Sequence, residues 1–387
     1  MSRIYLDHAA TTPMVPEAVE AMTRELTRVG NASSLHASGR SARRVVEESR
    51  EAIAAFVGAQ PAEVIFTGGG TEADNLAIKG GFWTGLKSRR QRVVTSTIEH
   101  HAVLDSVGWL TQAASAEVSY VPVTEDGRLD MSALAGTVDS DTALVSVMWA
   151  NNEVGTLQPV RRIAESAAEH GAISHSDAVQ AVGHVEVNFA TSGLDLMSFT
   201  AHKLGGPYGI GALLVRRELT LAPVLHGGGQ ERDIRSGTLD VAAIAGFAAA
   251  LEAATRHRVA EEQRVRRLLH ELVNSVLAAV PDAIPYGPGA EADRLPAIAS
   301  IGFPGCSADS ILMLLDAAGI DCSTGAACSA GVAQPSHVLL AMGCSEAEAR
   351  STLRFSLGHT SSIADVRALA TALPNAAHRA KAAAAFA

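Results

Sequence analysis

Only four of the 387 residues are cysteine and only 4% are aromatic, and 31 lysines and arginines against 41 aspartates and glutamates leave a net charge of −10. Each shortage removes a class of protein. Four cysteines without a CxxC pair make neither a disulfide framework nor a zinc site of standard spacing, so free thiols are expected. An acidic chain with few rings lacks the cationic field that draws phosphates and the surfaces on which bases stack, so nucleic acid is not an expected partner. The longest apolar run, VAAIAGFAAAL (241–251), falls well short of the ~18 residues of a membrane span. MSRIYLDHAATTP at the start lacks the basic stretch and apolar core of a signal peptide. These features point to a cytoplasmic protein with no membrane association. What is present is 47% hydrophobic and 19% charged, a globular composition at a length that suits two or three domains.

From Val64 to Val215, short apolar runs alternate with amphipathic stretches, the sequence form of βαβ units and a largely parallel sheet. The expected strands are 64–66, 92–97, 117–123, 143–149, 172–176, 196–199 and 210–215, with a crossover helix over 161–171 ending in a glycine cap. A helical stretch from Val241 to about Val280 reads as a connector. Beyond it the pattern is strand (297–303), helix (308–319), a Gly/Ser/Cys-rich loop, helix (335–343), strand (352–358) and a final helix whose Ala-rich end, AKAAAAFA, is expected to fray. KSRRQR (87–92) reads as a solvated loop. No repeat of fixed period is present.

In an open parallel sheet, ligands bind at the carboxyl ends of the strands. The residues following the runs are TGGGTEADN (67–75), Ile98-Glu99-His100-His101, Ala150-Asn151-Asn152-Glu153, Asp177-Ala178-Val179-Gln180 and Thr200-Ala201-His202-Lys203. Singly, each has an ordinary reading. A glycine-rich turn before a helix can be purely structural, a lysine beside glycines is commonly a solvated cation, and an aspartate after a strand can cap a helix. Together they supply a phosphate cradle, an amine for an imine and a carboxylate to hold a pyridine nitrogen protonated, the set that pyridoxal phosphate requires of a protein.

YLDHAATT (5–12), GNASSLHASGR (30–40), FTGGGTEADNLAIKG (66–80), TIEHHAVLDS (97–106), MWANNEVGTLQP (148–159), SDAVQAVG (176–183), SFTAHKLGGPYGIGAL (198–213), HGGGQERDIRSGT (226–238), STGAACSAG (323–331) and RFSLG (354–358) resemble, in order, the motifs of NifS/IscS-like cysteine desulfurases. These belong to the class V aminotransferase-like branch of fold-type I pyridoxal phosphate enzymes. His8 stands where asparagine is commoner, and GGGTEADN varies the usual Gly-Ala-Thr-Glu run. The resemblance implies an α/β fold with a large cofactor domain, 13–257, and a small domain formed by 1–12 and 258–387 that carries a mobile cysteine loop at about 323–335. It further implies that Lys203 forms the imine, Asp177 pairs with the ring nitrogen, and His100 stacks on the ring and moves protons. Gln180 and Asn151 would bond around the cofactor O3′ and the substrate. Gly70, Thr71, Thr200 and His202 would hold the phosphate, with Thr238 reaching it from the neighbouring subunit of a homodimer. Arg354 would take the substrate carboxylate, and His101 would be a bystander on the opposite face.

Cys306, Cys322 and Cys344 sit beside expected helices or strands and read as structural. Cys328 lies in STGAACSAGVAQPS, the composition of a mobile exposed loop, and matches the sulfur-accepting cysteine of the family's longer-loop group. A disulfide or shared metal with Cys322 has no standard spacing behind it. The implied reaction converts L-cysteine to L-alanine and a Cys328 persulfide, whose sulfur passes to acceptors for iron–sulfur assembly or for thiolation of tRNA and cofactors. The same pocket would support a selenocysteine lyase or another β-lyase; substrate competition separates these. A non-catalytic scaffold binding iron–sulfur assembly proteins is disfavoured by the intact Lys203, Asp177 and Cys328 set, and a zinc hydrolase using His100, His101 and Cys328 by the lack of any HExxH or CxxC pattern.

Overall fold

The computed structural model describes residues 3–289, 293–325 and 334–384. Its strands are β1 (Ile4–Tyr5), β2 (Val64–Thr67), β3 (Arg92–Ser96), β4 (Glu117–Val121), β5 (Thr142–Ser146), β6 (Ile173–Asp177), β7 (Leu196–Thr200), β8 (Gly211–Val215), β9 (Ile284–Tyr286), β10 (Ile298–Gly302), β11 (Ile320–Asp321) and β12 (Thr352–Ser356). Every apolar run read as a strand between 64 and 215 is one, and the seven form a single sheet in the order β2-β8-β7-β6-β5-β3-β4. β3 through β7 pair in parallel, while β8 runs antiparallel to both neighbours. Strands β5, β7 and β8 are buried along their whole length, as expected of a sheet covered on both faces by crossover helices. The carboxyl ends of β3, β5, β6 and β7 therefore share one edge. The residues read there as site candidates are gathered on it by topology alone.

A three-stranded antiparallel sheet, β12-β10-β9, and the parallel pair β1-β11 make up the remainder. One apolar cluster, running from Leu6 through Leu272, Ile301 and Phe355 to Ala380, is drawn from 1–12 and 258–387. The stretch from Val241 to Val280 is two helices, Val241–Arg256 and Arg258–Ala279, broken at His257 with φ −110° and ψ 7°. The stretch expected to fray is AKAAAAFA (380–387), of which 385–387 lie outside the described residues. The last helix runs Ile363–Ala384; Ala376, Ala377 and Ala380 are buried in the apolar cluster, and 381–384 are exposed.

The 226–238 segment is clamped to the sheet by a buried ion pair. Arg50 Nη2 and Nη1 donate to Glu231 Oε1 and Oε2 at 2.8 Å each, and Phe66 N donates to Oε2 at 2.9 Å. Removing one partner strands a desolvated charge, so Glu231→Ala should lower stability by about 3–5 kcal/mol, read as a drop in urea midpoint at unchanged slope. Arg50→Met combined with Glu231→Leu should recover most of that loss. A Glu231→Ala protein within about 1 kcal/mol of wild type would mean that the pair does not hold the segment.

Candidate active site

The strand ends enclose a cleft of about 370 Å³, lined among others by Gly70, Thr71, His100, Asp177, Lys203 and Arg354. After β2 the chain turns at Gly69, whose φ of +144° suits glycine, into the helix Gly70–Leu86, and no side chain caps that N-terminus. Glu72 in its first turn is paired with Arg235 at 2.8 Å and accepts Gly68 N–H. The first-turn amides and helix dipole at Gly70 and Thr71 are thus left for an anion.

His100 is the N-cap of the helix His101–Ala114, and its Nδ1 accepts from Ala102 N at 3.1 Å. Accepting through Nδ1 places the proton of the neutral ring on Nε2. Burial pushes its pKa down, against the pull of Asp177. Asp177, the last residue of β6, accepts Val179 N–H at 2.8 Å; burial raises its pKa, while His100 and Lys203 favour its charged form.

Past β7, Thr200 donates its hydroxyl to Ile210 O, and a short turn, Ala201–Lys203, presents His202 and Lys203. Lys203 Nζ donates to Ala9 O at 2.6 Å and Ala10 O at 2.8 Å. Burial, helped by the nearby Arg354 charge, brings its pKa down to about 8. An amine there is partly neutral near physiological pH and so able to act as nucleophile and base. His202, lowered by burial to about 4, has Nδ1 3.2 Å from Thr11 Oγ1. The YLDHAATT segment therefore forms the near wall of the cleft, with Gln180 Nε2 also bound to Ala9 O at 2.9 Å.

Arg354, on β12, is 5% exposed; it donates to Asn152 O at 3.0 Å and to Asp7 Oδ1 at 2.8 Å, while its Nε is buried without a partner. Two of the expected residues stand apart. Asn151 is fully buried behind the wall: Nδ2 donates to Ile98 O and Oδ1 accepts from Glu153 N and Val154 N, which closes the turn after β5. Thr238 is exposed and is not among the cleft-lining residues. Cys328 lies outside the described residues. It follows the cleft-lining Gly325 by three positions.

His101 is a correction. It lines the cleft, its ring 5.2 Å from that of His337, because the helix begins at the sheet edge and both histidines face its mouth. Three further groups went unread. His337 donates to Glu99 O at 2.9 Å; Glu99 is fully buried, accepts Met148 N–H through both oxygens and is pushed up to about 8 by burial; Asp74 is a buried acid of the helix Gly70–Leu86. The position of Glu99 directly before His100 at a strand end was the available signal. Cys306, Cys322 and Cys344 are free thiols with pKa values raised by burial, Cys322 to about 12, and so are poor thiolates.

A buried lysine of lowered pKa, a carboxylate held at a strand end and an uncapped helix N-terminus on one sheet edge define the pyridoxal phosphate-dependent class of fold type I. The class-V aminotransferase family model matches residues 4–369, and the chain belongs to that family, within its NifS/IscS-like cysteine desulfurases. An IscS-like cysteine desulfurase of Mycobacterium tuberculosis (strain ATCC 25618 / H37Rv) is 55% identical over 384 residues, covering 98% of each chain. A solved NifS-like protein covers 100% of both chains at 32% identity and a TM-score of 0.88. Another, SspA in complex with cysteine, covers 91% of this chain and 98% of that one at 32% identity and a TM-score of 0.79. Among the described residues, no helix is long and apolar enough to cross a membrane.

Proposed function

We propose that this chain takes sulfur from L-cysteine, releasing L-alanine and leaving a persulfide on Cys328, and that it does so as a cytoplasmic homodimer of 13–257 and 1–12/258–387 domains. The carrying observation is the placement of Lys203, Asp177, His100 and Arg354 on one cleft. The donor set fits pyridoxal phosphate: an uncapped helix N-terminus for the phosphate, a buried carboxylate for the ring nitrogen and an amine of lowered pKa for the aldehyde carbon. When bound, the cofactor supplies a sink for the electrons freed at the substrate α-carbon.

Gly70 and Thr71 would hold the phosphate with Thr200 and His202, and Asp177 would keep the ring nitrogen protonated. Lys203 would hold the cofactor and supply the base for the substrate α-proton, and His100, neutral with Nε2–H, would serve proton movement beside it. Gln180 sits against the same wall, and Arg354, steadied by Asp7, lines the cleft and would take the substrate carboxylate. The place of Asn151 is the turn that sets this wall. Cys328, as thiolate, bonds to the substrate sulfur while the carbon–sulfur bond breaks, and the carbon fragment gains the protons that make alanine. The persulfide sulfur then moves to acceptor or iron–sulfur scaffold proteins. Purified protein given L-cysteine and a reductant should form alanine and sulfide in equal amounts; no alanine would end this reading.

The homodimer is supported by large apolar side chains left exposed at Leu26, Val29, Leu35, Tyr208 and Leu225. An exposed Thr238 on the clamped segment suits a residue that completes the partner's phosphate site. Lys203→Ala and Thr238→Ala proteins, each impaired alone, should regain about a quarter of wild-type activity when mixed and exchanged, since half the dimers are hybrids with one intact site. A fully active monomer by sedimentation would remove the shared site. The clustering of 1–12 with 258–387 in one apolar core supports the domain division.

A further inference from the structure

Behind the Asp177 carboxylate lies a second buried acid that the reaction as described does not use. Asp74, in the second turn of the helix Gly70–Leu86, is 1% exposed, lines the same cleft, and has no hydrogen-bond partner for Oδ1. The imidazole nearest to it is His175, whose Nε2 is 3.7 Å from Oδ1. That ring cannot neutralise it: His175 is fully buried, both nitrogens are engaged by Ser146 and Ser198 hydroxyls at 2.8 Å, and burial holds its pKa down at about 3.

The other groups bearing on Asp74 are the Ser198 hydroxyl, which favours its charged form, and the carboxylates of Asp177 and Glu99, which oppose it. Glu99 differs, having backbone and hydroxyl donors on its oxygens. Asp177 differs too, with Lys203, His100 and Val179 N–H to support a charge. Two carboxylates in one water-excluded site do not both ionise without a cation for each. Asp74 has no cation, and unlike Glu99 it also keeps an oxygen with no donor at all.

We propose that Asp74 is a positioning residue that keeps its proton in the working enzyme, so that Asp177 alone presents negative charge to the ring nitrogen. This rests on the reading of Asp177 given above. An ionised Asp74 would instead raise the proton affinity of Asp177, draw the proton from the ring nitrogen and weaken the electron sink.

Isotope-edited infrared spectroscopy of the full-length holoenzyme, labelled at the aspartate side-chain carboxyl carbon, tests the proton directly. A protonated aspartic acid C=O band should persist at about pH 8, far above the ordinary aspartate range, and should vanish in Asp74→Asn. Asp74→Ala, which leaves a hole against the cofactor helix, should slow alanine release about tenfold through misplacement of the site. Asp74→Asn, neutral and of the same shape, should recover most of that loss. Absence of the band in wild type, its survival in Asp74→Asn, or an Asn variant slower than the Ala variant would overturn the proposal. Should Asp74→Asn not fold, the same band is read in Asp74→Ala: its loss there supports the assignment, and its survival overturns it. The band is read independently of turnover, so a protein that shows it but makes no alanine loses the desulfurase reading and not the proton assignment.

Discussion

Lys203→Ala is expected to yield a folded protein in which alanine release from cysteine falls by at least the ~10²- to 10⁴-fold that a positioned proton-transfer group contributes. One amine carries two duties, anchoring the cofactor and moving the α-proton, so neither is retained when it goes. The geometry explains why this lysine suits both. Nζ is fixed by the Ala9 and Ala10 carbonyls, and neither acceptor is anionic, so the hydrogen bonds orient the amine without the strong charge stabilisation a carboxylate contact would give. Burial and Arg354 then bring its pKa down to about 8, where neutral amine and ammonium coexist near neutral pH. Borohydride treatment followed by mass spectrometry should fix a phosphopyridoxyl group on the Lys203 peptide of wild type and on no peptide of the variant. Wild-type turnover by Lys203→Ala, or the label on another lysine, would remove Lys203 from the centre of the site.

The sheet was legible because β5, β7 and β8 are buried at every position and rich in apolar residues. Parallel topology then did the rest, since residues after such runs must converge on one edge. The break at His257 was illegible: RHR interrupts neither the helical spacing nor its polarity, and no glycine or proline marks it.

Within the site, the sequence marked the groups but not their partners, which lie far off in the chain: Ala9 is 194 positions from Lys203 and 171 from Gln180. The constraints on Arg354 and Asn151 come from elsewhere: Asp7 is 347 positions from Arg354, and Ile98 is 53 from Asn151. Asp74 and Glu99 were missed because an acid in a helix or loop looks solvated until the elements covering it are in place. No local pattern marks their burial.

Cys328→Ser should separate the two halves of the reaction. Cofactor chemistry depends on Lys203, Asp177 and His100, all on the large sheet's edge, whereas sulfur capture depends on a thiolate from another part of the chain. Serine keeps the size but replaces a thiol of reference pKa ~8.5 with an alcohol that does not ionise near neutral pH. Cysteine should still bind and perturb the visible absorption of the holoenzyme. Alanine release should drop on the order of 10³-fold or more, the scale on which losing a nucleophile is felt. The three other thiols supply the control. Cys322 is buried with its pKa pushed up to about 12, and burial raises those of Cys306 and Cys344 as well, so none is a ready thiolate. Serine at each of those positions should retain most activity, with losses confined to packing. Mass spectrometry after one turnover without reductant should find a single added sulfur on the Cys328 peptide. Normal turnover by Cys328→Ser, or an adduct confined to another cysteine, would place the sulfur carrier elsewhere in the chain.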